Sequence, residues 1–135
     1  MPFHFVWTAL VTMISVFIYA WMGMRVARAR MTYDIKVPAT TGNPDFERIF
    51  RVQANTGEQL LQFLPGLWLF AIWFGDLWAA AIGVFWPIGR IIYAIGYSKA
   101  AEKRGPGAMI TMLANAILAI GAVVGIVLRF VHVPV

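Results

Sequence analysis

The chain has 135 residues, of which 61% are hydrophobic, and a mean hydropathy of +0.74. That is too apolar for an ordinary soluble domain, so a single domain over 1–135 with lipid as its main solvent is expected. The absence of cysteine excludes disulfides, a Cys nucleophile and a Cys-based metal site, and the two histidines, His4 and His132, lie at opposite ends, so no metal is expected.

The formal charge of +5 is informative through its placement. It gathers at the borders of apolar runs, and no nucleic-acid partner is expected. The first apolar segment is too long and poorly flanked for a signal peptide, and no small-residue cleavage site follows it.

Four spans follow in chain order: Phe3–Val26, Phe46–Phe74, Leu77–Ala100 and Gly107–Val131. Each is long enough to cross a hydrocarbon core of about 30 Å. The connection Ala27–Asp45 is polar and carries Pro38 and Pro44. The link at Gly75-Asp76 is so short that the second and third spans form a tight antiparallel hairpin. Gly105-Pro106-Gly107 breaks the third span from the fourth. Pro65 should kink the second span, and Pro87 with Gly89 should loosen the third just outside Arg90. Gly121 and Gly125 make a GxxxG pattern that would allow close helix contact.

Basic residues set the orientation. Arg25, Arg28, Arg30, Lys36, Arg48 and Arg51 surround the first connection, and Arg90, Lys99, Lys103 and Arg104 lie toward the third. The positive-inside rule puts both connections in the cytoplasm and both termini on the other side. Trp7, Trp73 and Trp78 fit an aromatic belt at the outer border, whereas Trp68 and Trp86 lie deeper, as packing residues.

The stretch from Thr40 to Glu58 stands out against this background, because it carries ionisable groups into the mouth of a membrane span. At 100° per residue, Arg48, Arg51, Asn55 and Glu58 fall within roughly 80° on one face of the second span. Arg90, Tyr93, Tyr97 and Arg104 fall within roughly 60° on the third, provided that the helix persists to Arg104. Counted from the outer hairpin, Glu58 and Tyr93 each lie about 24 Å down, so the stripes share a depth near the cytoplasmic border. Spacing permits them to face each other.

Such a set suits a small, charged, peptide-like ligand. Arginines bind carboxylates bidentately, Glu58 suits an ammonium group, and Asn55 suits an amide. Glutathione has this chemistry, and the positive charge at the opening would attract it. The alternative is structural: Arg51 and Glu58 could serve packing, with Arg90 paired to Glu58 across the hairpin. Gln53 lies about 200° from Arg51 on the wheel, so it would serve a pocket on another subunit more easily than the same pocket.

The run Thr40-Thr41-Gly42, Pro44, Phe46-Glu47-Arg48, Arg51, Gln53, Asn55, Glu58 resembles the signature of the MAPEG family, membrane-associated proteins in eicosanoid and glutathione metabolism. Arg90, Tyr93, Gly96-Tyr97 and Arg104 resemble its second signature. The pattern covers nearly the whole chain and is nearest the leukotriene-forming conjugase and microsomal glutathione transferase type-two branch.

The resemblance implies an all-α, integral membrane four-helix bundle assembled as a homotrimer, with glutathione as co-substrate between neighbouring subunits. It implies that Arg51, Asn55, Glu58, Tyr93 and Tyr97 bind glutathione, that Arg30 and Gln53 come from the adjacent subunit, and that Arg104 activates the thiol. The thiolate would attack a lipophilic electrophile or reduce a lipid hydroperoxide, a transferase or peroxidase activity. The alternative is a non-catalytic lipid-binding or scaffold member. Gln59 replaces a tyrosine and Met31 an arginine of the leukotriene-forming branch. An inner membrane is expected in a bacterium, and the endoplasmic reticulum or a similar membrane in a eukaryote.

Overall fold

The computed structural model describes residues 4–132, and among them every regular element is a helix. Helix α1 spans Val6–Tyr33, α2 Pro44–Phe74, α3 Asp76–Gly83, α4 Phe85–Lys99 and α5 Gly105–His132, with a 3-10 turn at Ala101–Arg104. Phe3, the expected start of the first span, lies outside the described residues. Three stretches are long and apolar enough to cross a membrane: Val6–Tyr33, Asp76–Lys99 and Ala101–His132. Helix α2, at 31 residues, is long enough, but its polar stripe dilutes its apolar character.

Several boundaries move from their expected places, each for a local reason. Helix α1 continues past Val26 to Tyr33 and ends where Asp34 turns left-handed, at φ 51°. Helix α2 begins at Pro44 rather than Phe46, because Asn43 caps it. The Asn43 side-chain oxygen accepts from the amides of Asp45 at 2.8 Å and Phe46 at 3.2 Å, with Asp45 and Glu47 in the positive first turn. Pro44 stands in that first turn, where its missing N–H costs nothing.

The expected third span is two helices. Pro87 has no N–H to offer the Gly83 carbonyl, and the helix is interrupted at Val84, which keeps helical dihedrals of −61° and −25°. Helix α2, by contrast, continues through Pro65. The break before the fourth span falls at Ala100, extended at φ −160° and ψ 141°, and α5 already begins at Gly105. Pro106 therefore sits in the first turn of α5, not in a linker.

Outer-end contacts tie the bundle together. Gly75, at φ 95°, makes the sharp hairpin between α2 and α3. The adjacent Asp76 carboxylate accepts from the backbone N–H groups of Thr8 at 2.7 Å and Trp7 at 3.0 Å, so the hairpin caps the first turn of α1. Trp7, Trp73 and Trp78 stand near this end in the chain and are exposed. Below it lies an apolar core containing Val11, Phe63, Leu67, Trp86 and Leu118. Trp86 is fully buried and stacks on Phe63 at 4.5 Å. The GxxxG pair of α5 does not bring two backbones together within the chain; a Cβ at Gly121 would strike the Phe70 ring and one at Gly125 the Trp73 ring. The small residues make room for α2 aromatics.

Candidate functional site

A cavity of about 520 Å³ opens between α2, α4 and α5. Asn55, Arg90, Tyr93 and Arg104 line one end of it, and Gln59, Gln62 and Asn115 another part of the wall. Of the two expected polar stripes, Asn55 on one side and Arg90, Tyr93 and Arg104 on the other meet on this space, whereas Arg48, Arg51, Glu58 and Tyr97 do not line it.

Arg90 is the buried centre of this wall, at 1% exposure. Its Nε donates to Thr56 Oγ1 at 3.1 Å, and its Nη2 donates to Thr56 Oγ1 at 2.7 Å and Asn55 Oδ1 at 3.0 Å. The guanidinium also lies 4.0 Å from the centre of the Tyr93 ring. This overturns the structural alternative of an Arg90–Glu58 pair. Glu58 points outward, its side chain 57% exposed, and takes Arg51 at 3.3 Å and the Asn55 amide at 3.4 Å as its partners. Asn55 thus joins two networks, with its oxygen on Arg90 and its nitrogen on Glu58.

Arg104 reaches the site by a route that helical periodicity does not describe. The helix ends at Lys99, and the 3-10 turn after Ala100 folds back so that the Arg104 guanidinium lies 5.9 Å from the centre of the Tyr97 ring. Tyr97 in turn stacks on Tyr93 at 5.5 Å. Two glycines permit the fold-back. A Cβ on Gly96 would collide with the Lys103 carbonyl oxygen, and one on Gly107 would collide with the Tyr93 backbone. These close approaches press the turn and the start of α5 onto α4.

Arg30 and Gln53 lie elsewhere in the chain. Arg30 Nη1 donates to the Ala39 carbonyl at 2.7 Å and its guanidinium covers the Phe46 ring at 5.1 Å, so it orders the connection between α1 and α2. Gln53 donates to the Tyr19 hydroxyl at 3.0 Å, facing α1. Arg48 pairs with Asp45 one turn back, away from the cavity. Among the described residues no group of His, Asp and Glu is arranged to hold a metal ion.

Thr56, Gln62 and Thr111 were not expected at the site. Thr56 lies 100° around α2 from Asn55, at the edge of the polar face, and looks on its own like a buried threonine bonding back to the Val52 carbonyl. Only the approach of Arg90 from α4 reveals it as a ligand for the guanidinium. Gln62 and Asn115 carry a weaker signal that was available: amides inside apolar runs need partners.

A family model described as the MAPEG family matches residues 8–124. The chain is 51% identical over 120 residues to an uncharacterized protein of Synechocystis sp., covering 89% of this chain and 88% of that one. It is 34% identical over 122 residues to microsomal glutathione S-transferase 2 of Homo sapiens, covering 90% and 83%. It is 38% identical over 96 residues to leukotriene C4 synthase of Rattus norvegicus, covering 71% and 64%.

Proposed function

The chain belongs to the MAPEG family, and from that premise we propose that this multi-pass membrane protein is a glutathione-dependent transferase or peroxidase. The observation that carries the reading is the convergence of Asn55, Arg90, Tyr93 and Arg104 on one cavity, with the Arg51–Glu58 pair bonded to its rim through Asn55. The names of the two enzymes reported among its relatives support the same reading.

In this reading Arg51, Asn55 and Glu58 hold the charged and amide groups of glutathione, and Tyr93 and Tyr97 pack against it. Arg30 and Gln53 stand apart from the cavity in their own chain, which suits their serving a neighbouring subunit of a homotrimer. Arg104 holds the sulfur. A free thiol with a pKa of about 8.5 is only a few per cent ionised at neutral pH, and the thiolate is the nucleophile. A guanidinium beside the sulfur favours the anion, and lowering the pKa by two units takes about 2.7 kcal/mol of differential interaction. Arginine stays protonated at a membrane border, so Arg104 acts as an electrostatic stabiliser and not as a base. A lipophilic partner then enters from the bilayer. In this reading the cavity mouth faces the cytoplasm, which the basic residues of the first and third connections support.

The test is turnover by the detergent-purified protein with glutathione and either an aryl halide or a lipid hydroperoxide. Conjugation or reduction above the uncatalysed rate is expected. No turnover with either substrate and no glutathione binding would reject the enzyme in favour of a lipid-binding or scaffold role.

A further inference from the structure

Beyond Arg90 and Asn55, the cavity has a second polar level. The Asn115 amide on α5 donates to Gln59 Oε1 on α2 at 2.8 Å, forming a rung across the wall. Gln59 lies about 6 Å deeper along α2 than Asn55, and Gln62 about 10 Å deeper. The rest of this part of the lining is Met112, Ala116 and Ala119. Amides in such surroundings are expensive unless hydrogen-bonded, because hydrocarbon offers no partners.

The three amides do not satisfy one another. One bond joins Gln59 to Asn115, Asn115 Oδ1 is buried and accepts nothing, and Gln62, an exposed residue on the same lining, enters no side-chain hydrogen bond among the described residues. Turning both amides over reverses the bond but still leaves the rung with an unspent donor and an unspent acceptor, whereas turning one alone would set oxygen against oxygen or nitrogen against nitrogen. The natural complement is a small neutral group that both donates and accepts, attached to an apolar chain. An aryl halide offers no donor, and an epoxide only accepts. A carboxylate would be drawn to Arg90 and Arg104.

We propose that Gln59, Gln62 and Asn115 receive the peroxide group of an acyl-chain hydroperoxide, and so select the second substrate. This rests on the glutathione reading of the Arg104 end of the cavity. The thiolate of glutathione attacks the distal peroxide oxygen, forming S–O as O–O breaks. The electron pair leaves on the proximal oxygen, which takes a proton from water and becomes the alcohol. An amide N–H from the rung donates to that oxygen as its charge develops. The glutathione sulfenic acid then reacts with the thiol of a second glutathione, giving the disulfide and water. The hydroperoxide is reduced by two electrons and two glutathione molecules are oxidised.

The test compares Asn115→Leu and Gln62→Leu with the unsubstituted protein, using the neutral methyl ester of linoleate hydroperoxide, a lipid epoxide and an aryl halide, with glutathione thiolate absorbance recorded throughout. Gln62→Leu is the control against misfolding, since Gln62 ties no two helices together. We expect kcat/KM for the hydroperoxide to fall at least about tenfold in both variants, with aryl-halide conjugation held within about twofold. The thiolate signal should be unchanged. Equal losses on all substrates, a loss confined to the epoxide, or no loss with the thiolate intact would overturn the assignment. A smaller detergent particle in Asn115→Leu and Gln62→Leu, with no selective loss, would reassign the amides to a subunit contact. Absence of a thiolate in the unsubstituted protein would instead overturn the glutathione reading beneath it.

Discussion

Arg90 spends Nε and Nη2 on Thr56 and Asn55 and takes no carboxylate among the described residues as a partner. A cation held only by neutral oxygens and aromatic faces leaves its charge available to an anion in the cavity beside it. Its nearer task is to fix the Asn55 oxygen, which turns the Asn55 nitrogen toward Glu58. Arg90→Leu should therefore raise KM for glutathione by about tenfold, the equivalent of about 1.4 kcal/mol, while lowering kcat less. Arg90→Lys should recover only part of this, because an ammonium lacks the guanidinium's planar fork. Steady-state kinetics on both variants checks the split. At this scale the sequence was legible where a polar residue broke an apolar run: Arg51, Asn55 and Glu58 share a face of α2, and Glu58 and Tyr93 share a depth. The Arg90 partners were not legible, because wheel angles report which way a side chain starts and not where a long one ends.

At the scale of elements, the 3-10 turn decides whether Arg104 belongs to the site. The wheel places Arg104 on the Tyr93 face only if α4 continues, and α4 does not. Contact between Gly96 and Lys103 replaces helical continuity as the positioning device. Gly96→Ala should displace the turn and lower kcat by at least about tenfold, with a smaller effect on glutathione binding. A second prediction concerns the outer end. Asp76→Ala removes two hydrogen bonds to the first turn of α1 and should destabilise the protein by about 1 kcal/mol, seen as a lowered Tm in detergent. The spans themselves were legible from apolar length. Their ends shifted because caps and prolines act locally: Asn43 started α2 early, Pro87 split the third span, and Ala100 ended it before the glycine-proline motif.

At the scale of the whole molecule, the residues assigned to glutathione divide between two faces of the chain. Asn55 lines the cavity and Glu58 and Arg51 are bonded to it in turn, while Gln53 faces Tyr19 and Arg30 orders a loop. One chain does not assemble them all, which supports the proposed sites between subunits of a homotrimer. Static light scattering of the detergent particle should give three protein copies, and a monomer or dimer would refute that arrangement. The proposed chemistry rests on the state of the glutathione sulfur. Its most direct measurement is the ultraviolet thiolate absorbance of glutathione added to the purified protein, compared with Arg104→Ala. The unsubstituted protein should show bound thiolate at neutral pH, and Arg104→Ala should bind glutathione without that signal. An undiminished thiolate in Arg104→Ala would contradict the role given to Arg104, and no thiolate in either protein would contradict the glutathione site itself.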